Sequence, residues 1–196
     1  MSVSSQQRQS TTVLSTQTVK PPCKIHATAT ISDRAIITGT HQVEIGENSV
    51  LHPYAKIRAE GGRVIIGAYC TIAEAAVVGT SEEHEGDVVI NDYVVIDSGA
   101  QVEAASVGYS SEVGIQAVVG HEAIIGKYCK IAPKWCLKPG QTLEDYTVIY
   151  GDNLVRKDAS AASNASYRDA RLTGQERHVE VLRRKIPNGA VKFSNP

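Results

Sequence analysis

Aromatic residues are scarce in this 196-residue chain, with Phe, Trp and Tyr together making up 5%. That is thin for a layered globular core and argues for a narrower interior filled by aliphatic side chains. Long apolar runs are missing as well: no stretch could span a bilayer, and the amino terminus lacks the apolar centre of a signal peptide. Neither sign of charge is in excess. The 20 Lys and Arg against 21 Asp and Glu leave a formal net charge of -1 and a pI near 6.6, so nothing electrostatic invites nucleic acid or an anionic membrane. The four cysteines, Cys23, Cys70, Cys129 and Cys136, show no C-x-x-C spacing. They are expected to be packing residues in a reducing compartment, not a disulfide framework, and the expected location is the cytoplasm. No Gly-rich phosphate loop or Ser-centred elbow is found.

What the chain does have is a beat. From Ile25 an aliphatic residue returns every six positions: Ile31 and Ile37, then after a slip Ile45, Leu51 and Ile57. The count resumes at Ile66, Ile72 and Val78, again at Ile90, Ile96 and Val102, and loses one residue. It then runs through Val107, Val113, Val119, Ile125, Ile131, Leu137, Leu143 and Ile149. A period of six belongs to neither helix nor strand, but it fits a triangular solenoid whose coils of about 18 residues each offer three short parallel strands. Each flat side turns one branched residue inward. Four positions after a marker the residue is usually small, as in Ala35, Ser49, Cys70, Ala100, Ser106 and Cys129. One position after it Gly recurs, and Gly or Asn is expected at the corners because it tolerates turn dihedrals that bulky residues do not.

Outside the beat, residues 1–22 are rich in Ser, Thr and Gln and read as a disordered arm. The solenoid is expected over 23–154, a linker over 155–172, a helix over 173–186 and a tail over 187–196. Thr173-Gly174-Gln175-Glu176 matches a capping box, and Val179, Leu182 and Ile186 share one helical face. Arg183, Arg184 and Lys185 suit the last turn, and Pro187 stops the helix, which should lie on the side of the solenoid. Thr80–Asp87 has no inward aliphatic residue and should project as a loop.

The repeat resembles the hexapeptide-repeat proteins, which implies a left-handed parallel β-helix of about seven coils. Many members are enzymes. Ile57-Arg58-Ala59-Glu60 before Ile66-Gly67 is similar to the Arg-x-Asp segment of hexapeptide carbonic anhydrases, whose metal requires three His. The first of those positions falls on Gly79, the second on His121 and the third on Gly126. One ligand of three does not hold the metal, so His121 is expected to be an outward coil residue. An acyltransferase would need a His general base. His84, among Glu82, Glu83 and Glu85, reads better as part of a solvated acidic loop. His26, His41, His52 and His178 sit in no ligand or nucleophile motif. The expectation is therefore no catalytic, cofactor or metal residue, with a hexapeptide carbonic anhydrase-like enzyme or acyltransferase as the alternative.

A more specific likeness lies in Leu51-His52-Pro53-Tyr54-Ala55, in the Ala59-Glu60-Gly61-Gly62 insertion, in Thr147-Val148-Ile149-Tyr150-Gly151 and in Lys185-Ile186-Pro187-Asn188. These patches, over about residues 24–151 and the end of the helix, resemble the dynactin subunit 6 family. The resemblance implies a non-catalytic, cofactor-free adaptor in the pointed-end subcomplex of dynactin. Its partners would be subunit 5 and other pointed-end subunits and, indirectly, dynein and cargo adaptors. It implies no nucleic-acid binding, no membrane insertion, and a place in the cytoplasm on the cytoskeleton.

Overall fold

The computed structural model describes residues 20–151 and 154–193; the expected arm at 1–22 lies outside the described residues up to position 19. Twenty short strands between Cys23 and Tyr150 wind six full turns and two strands of a seventh. They sort into three parallel sheets, the sides of a left-handed prism. On the first side the register stacks Ile25, Ile45, Ile66, Ile90, Val107, Ile125 and Leu143 in one column. On the second it stacks Ile31, Leu51, Ile72, Ile96, Val113, Ile131 and Ile149. On the third it stacks Ile37, Ile57, Val78, Val102, Val119 and Leu137. Every marker except Ile25, in the terminal coil, is buried. Each such aliphatic residue contributes roughly 1.5–3 kcal/mol, so the columns supply the interior that the missing aromatics do not.

Most of the small positions are inside too, including the thiol of Cys70, which burial pushes up to about 12. Ser106 is different. The beat has lost a residue just before it, so it pairs with Val89 and Ile124 as an outward strand residue, and Ala104 fills the interior instead.

The glycines after the markers have another cause than turn dihedrals. A Cβ on Gly46 would lie 2.5 Å from the backbone of Gly67 in the next coil, so these positions are glycine because the coils approach too closely there. The left-handed turn conformation falls two residues later, mostly on larger residues: Asn48, Tyr54, Tyr69, Tyr93, Tyr128 and Tyr146 all have φ between 54° and 61°. Each cost is offset by an inter-coil bond, such as Tyr69 N–H to Glu47 O and Tyr128 N–H to Tyr109 O, both 2.8 Å. Tyr69, Tyr93, Tyr109, Tyr128 and Tyr146 then stack up the corner between the first and second sides with centroids 5.0–5.7 Å apart.

Beyond the coils a strand at Leu154–Lys157 pairs antiparallel with Thr147–Tyr150 and covers part of the last edge. Helix α1 (Ala159–Ser163) and helix α2 (Ala165–Lys185) follow. Helix thus begins well before residue 173. Asp158 caps α1 and Asn164 caps α2, each side chain accepting a free backbone N–H, while Thr173 and Glu176 lie exposed within α2. The alanine-rich run before Asn164 is short but a good helix former once capped, so no linker separates strand from helix. Val179 is buried, with Leu182 and Ile186 half-buried. Under α2 lies the strand of Val50, an outward residue that is nonetheless fully buried. Most of the docking is polar: Arg171 donates to Ser110 O, Gln175 to Thr71 Oγ1 and Arg183 to Asn48 Oδ1. Past Pro187 the chain reaches the first coil, where Asn188 bridges Ser32 and Phe193 packs on the end of the core. No helix of the described residues is long and apolar enough to cross a membrane.

Candidate functional site

Every interruption of the six-residue beat falls at one corner. From Ile37 to Ile45, Ile57 to Ile66, Val78 to Ile90 and Val102 to Val107 the chain passes from the third side to the first. The other two corners keep the spacing of six throughout. A corner free to vary in length can carry side chains the repeat has no place for, and the polar residues most unlike the rest of the prism gather there.

The loop from Thr80 to Asp87 leaves the prism but lies flat against the insertion one coil before it. Gly86 N–H bonds to Gly61 O at 3.1 Å, and Thr80 Oγ1 donates to Gly86 O at 3.1 Å. A Cβ on Gly61 would lie 2.2 Å from His84 O, and one on Gly62 2.2 Å from Gly86 O; the two glycines exist to let this loop dock. Arg63 closes the arrangement with two bonds to Asp87 Oδ2, of 3.1 and 2.7 Å, which hold that carboxyl below the usual range.

Docking carries His84 back over the coils. Its ring stacks on His121, centroids 4.2 Å apart with planes within 13°. Its Nδ1 stands 3.2 Å from Glu103 Oε2, an ion-pair distance, yet this buried nitrogen makes no hydrogen bond. The other carboxylate oxygen of Glu103 accepts from Arg58 Nη2 at 2.7 Å, with both side chains less than a quarter exposed. Arg58 and Glu103 sit on either side of Gly79 in the column on the third side. Gly79 leaves them room to meet. It could not be otherwise on this backbone, since its φ is +115° and a Cβ would lie 1.9 Å from Arg58 O.

His84 and His121, far apart along the chain, are therefore neighbours, and Glu103 and Arg58 complete the group. Gly79 and Gly126 bring no side chain to it. His84, Glu103 and His121 each offer a ligand atom within 4.8 Å of the others, the one such group of three among the described residues. Their nitrogen and oxygen donors suit a proton or a divalent transition metal. Sequence reasoning missed the grouping because His84 arrives from outside the repeat; the clue was the common corner of the interruptions. Of the remaining histidines, His26 meets Thr28, His41 meets Ala59 O, and His52 is half-buried with Nε2 unpartnered. Cys70 and Cys129 are buried free thiols, and Cys136 is exposed.

No family model matches the chain. It is similar to dynactin subunit 6 of Nematostella vectensis, 30% identical over 143 residues that cover 68% of this chain and 77% of that one. Among solved structures it is similar to a hexapeptide transferase family protein of Anaplasma phagocytophilum, with TM-score 0.66, 20% identity and coverage of 85% of this chain and 97% of that one. It is also similar to an N-acyltransferase of Bacillus cereus solved as a mutant with dTDP and coenzyme A, with TM-score 0.52, 17% identity and coverage of 76% and 91%. At such identities the two structures carry the fold and say nothing of chemistry. The relation to dynactin subunit 6 runs over most of both sequences, and the chain belongs to that family of hexapeptide-repeat proteins.

Proposed function

We propose that this chain is a non-catalytic adaptor subunit of dynactin, working in the pointed-end subcomplex in the cytoplasm, on the cytoskeleton. The observation that carries the reading is the 30% identity to a dynactin subunit 6 over 77% of its length. The architecture agrees with it. A prism of stacked coils is stiff, because each coil is held by its neighbours, and a rigid spacer with flat sides can dock partners without chemistry of its own. The two ends are finished differently. At the first coil, Asn188 and Phe193 close the edge. Near the last coil, Leu154 and Val155 are 54% and 63% exposed, a small apolar area of the kind that partners cover. In this reading dynactin subunit 5 and other pointed-end subunits are the direct partners, and dynein and cargo adaptors are engaged through them. The protein takes no cofactor for this role.

Co-expression with the dynactin subunit 5 of the same source tests it. The expected result is a stoichiometric heteromer on size-exclusion chromatography and, for tagged chain purified from cells, dynactin subunits at fixed ratio by mass spectrometry. A chain that forms only homo-oligomers in both experiments overturns the reading.

A further inference from the structure

The adaptor role makes no use of the cluster at the variable corner, and a ligand held there is independent of that role. His84 comes from the docked loop, while Glu103 and His121 come from neighbouring coils of the third side. All three are half-buried, and Glu103 turns one oxygen to Arg58 and the other to His84. His84 Nδ1 is buried 3.2 Å from that carboxylate without a hydrogen bond to it, a geometry that calls for an explanation and that a bound ion would supply. Two imidazoles and a carboxylate whose second oxygen is fixed by an arginine form a donor set with its supporting residue already in place. The loop that carries His84 also lines a recess with Glu60, Glu82 and Glu85, whose negative charge favours cations near the loop.

We infer that His84, Glu103 and His121 bind one divalent transition-metal ion, zinc suiting the donor set best, with water in the fourth position. Calcium and magnesium prefer all-oxygen shells and are poor matches. The set is not the three-His arrangement of hexapeptide carbonic anhydrases, since two of those positions are Gly79 and Gly126. The two rings lie parallel, so their lone pairs run side by side. Capture of the ion therefore requires the His84 ring, on the loop, to tilt out of the stack so that its lone pair converges with that of His121 beside the carboxylate. An ion held this way ties the loop at 80–87 to two coils.

The test uses the full chain, stripped with chelator, dialysed against zinc and analysed for metal, with titration calorimetry for affinity. One zinc per chain is expected, with the affinity falling at least about 100-fold in His121→Ala and in Glu103→Gln, which loses a charged ligand. Circular dichroism checks that both variants fold. Cobalt(II) replaces zinc for spectroscopy, and its bands should lack thiolate charge transfer, because none of the three ligands is a cysteine. Failure to retain an ion near one per chain overturns the proposal. So does unchanged affinity in Glu103→Gln, the mildest of the changes, or a thiolate signal that places the ion at Cys23 or Cys136.

Discussion

The corner between the first and second sides and the corner between the third and first are made by the same coils, and they behave in opposite ways. At the first of these the spacing never departs from six, tyrosines stack from Tyr69 to Tyr146, and α2 lies alongside with Tyr93 OH donating to Glu176 at 2.8 Å. At the second the spacing runs from five to twelve, the backbone is glycine-rich, and charged and imidazole side chains collect. Regularity at one edge lets a straight helix bind along it, because identical positions recur once per coil. Irregularity at the other lets residues leave the repeat and return over it, so the edge can hold a group that no single coil encodes.

The largest effect should come from transferring length between the corners. One glycine inserted between Asp92 and Tyr93, inside the fixed step from Ile90 to Ile96, displaces Ile96 and Val102 by one residue. Because side chains alternate across a strand, the shift turns outward-facing groups into the core of that coil up to the next variable corner or forces a bulge. The expected outcome is loss of cooperative unfolding. One glycine inserted between Glu82 and Glu83, both exposed, should cost under about 1 kcal/mol, since lengthening an open loop is cheap. Thermal unfolding followed by circular dichroism checks both. Equal losses at the two sites would dissolve the contrast.

A smaller effect concerns how the regular corner holds its helix. Val179 is 1% exposed and sits among mostly polar docking contacts. At about 0.8 kcal/mol per buried carbon, Val179→Ala should weaken docking by roughly 1–2 kcal/mol. Hydrogen exchange should quicken through α2 while the amides of the central coils stay protected, because those coils are supported mainly by their neighbours. Equal quickening in coils and helix would mean that the helix is part of one cooperative unit with them.

The contrast also marks how far the sequence could be read. The repeat alone predicted the prism and all twenty inward markers, since a six-residue period has few other physical solutions, and burial agrees for all but the half-buried Ile25. The glycines were placed correctly but for the wrong reason. Close approach between coils is a property of stacking, which no single hexad displays, whereas the turn strain sits on tyrosines supported by the coil before them. The face of α2 was legible from Val179, Leu182 and Ile186, but its start was not. Thr173 and Glu176 satisfy the capping pattern by coincidence inside a helix that Asn164 had already begun. The grouping of His84, Glu103 and His121 was hidden for a related reason: their meeting depends on which coil the loop folds back upon, and that is set by Gly61 and Gly62 a coil earlier.

The smallest effect is a pH dependence confined to the helix-bearing flank. His52 is held below its ordinary value of 6.5, first by burial and then by the charge of His178 on α2, with Glu74 pulling the other way. Its Nε2 is buried without a hydrogen-bond partner, so the pull of Glu74 does not make up for burial and the protonated ring is disfavoured. The folded-state value lies below the unfolded one, and the unfolded chain therefore takes up its proton first. The contribution to stability is complete above the ordinary value and is lost as pH falls from there through the folded value. Between about pH 7.5 and 5, above the range where most carboxylates titrate, the melting temperature should drop modestly, with exchange quickening first in α2 around His178. His52→Gln removes the titrating group and should flatten that slope, and His178→Gln should flatten it in part by removing the repulsion. A slope left unchanged by His52→Gln would overturn the assignment of the acid sensitivity to His52.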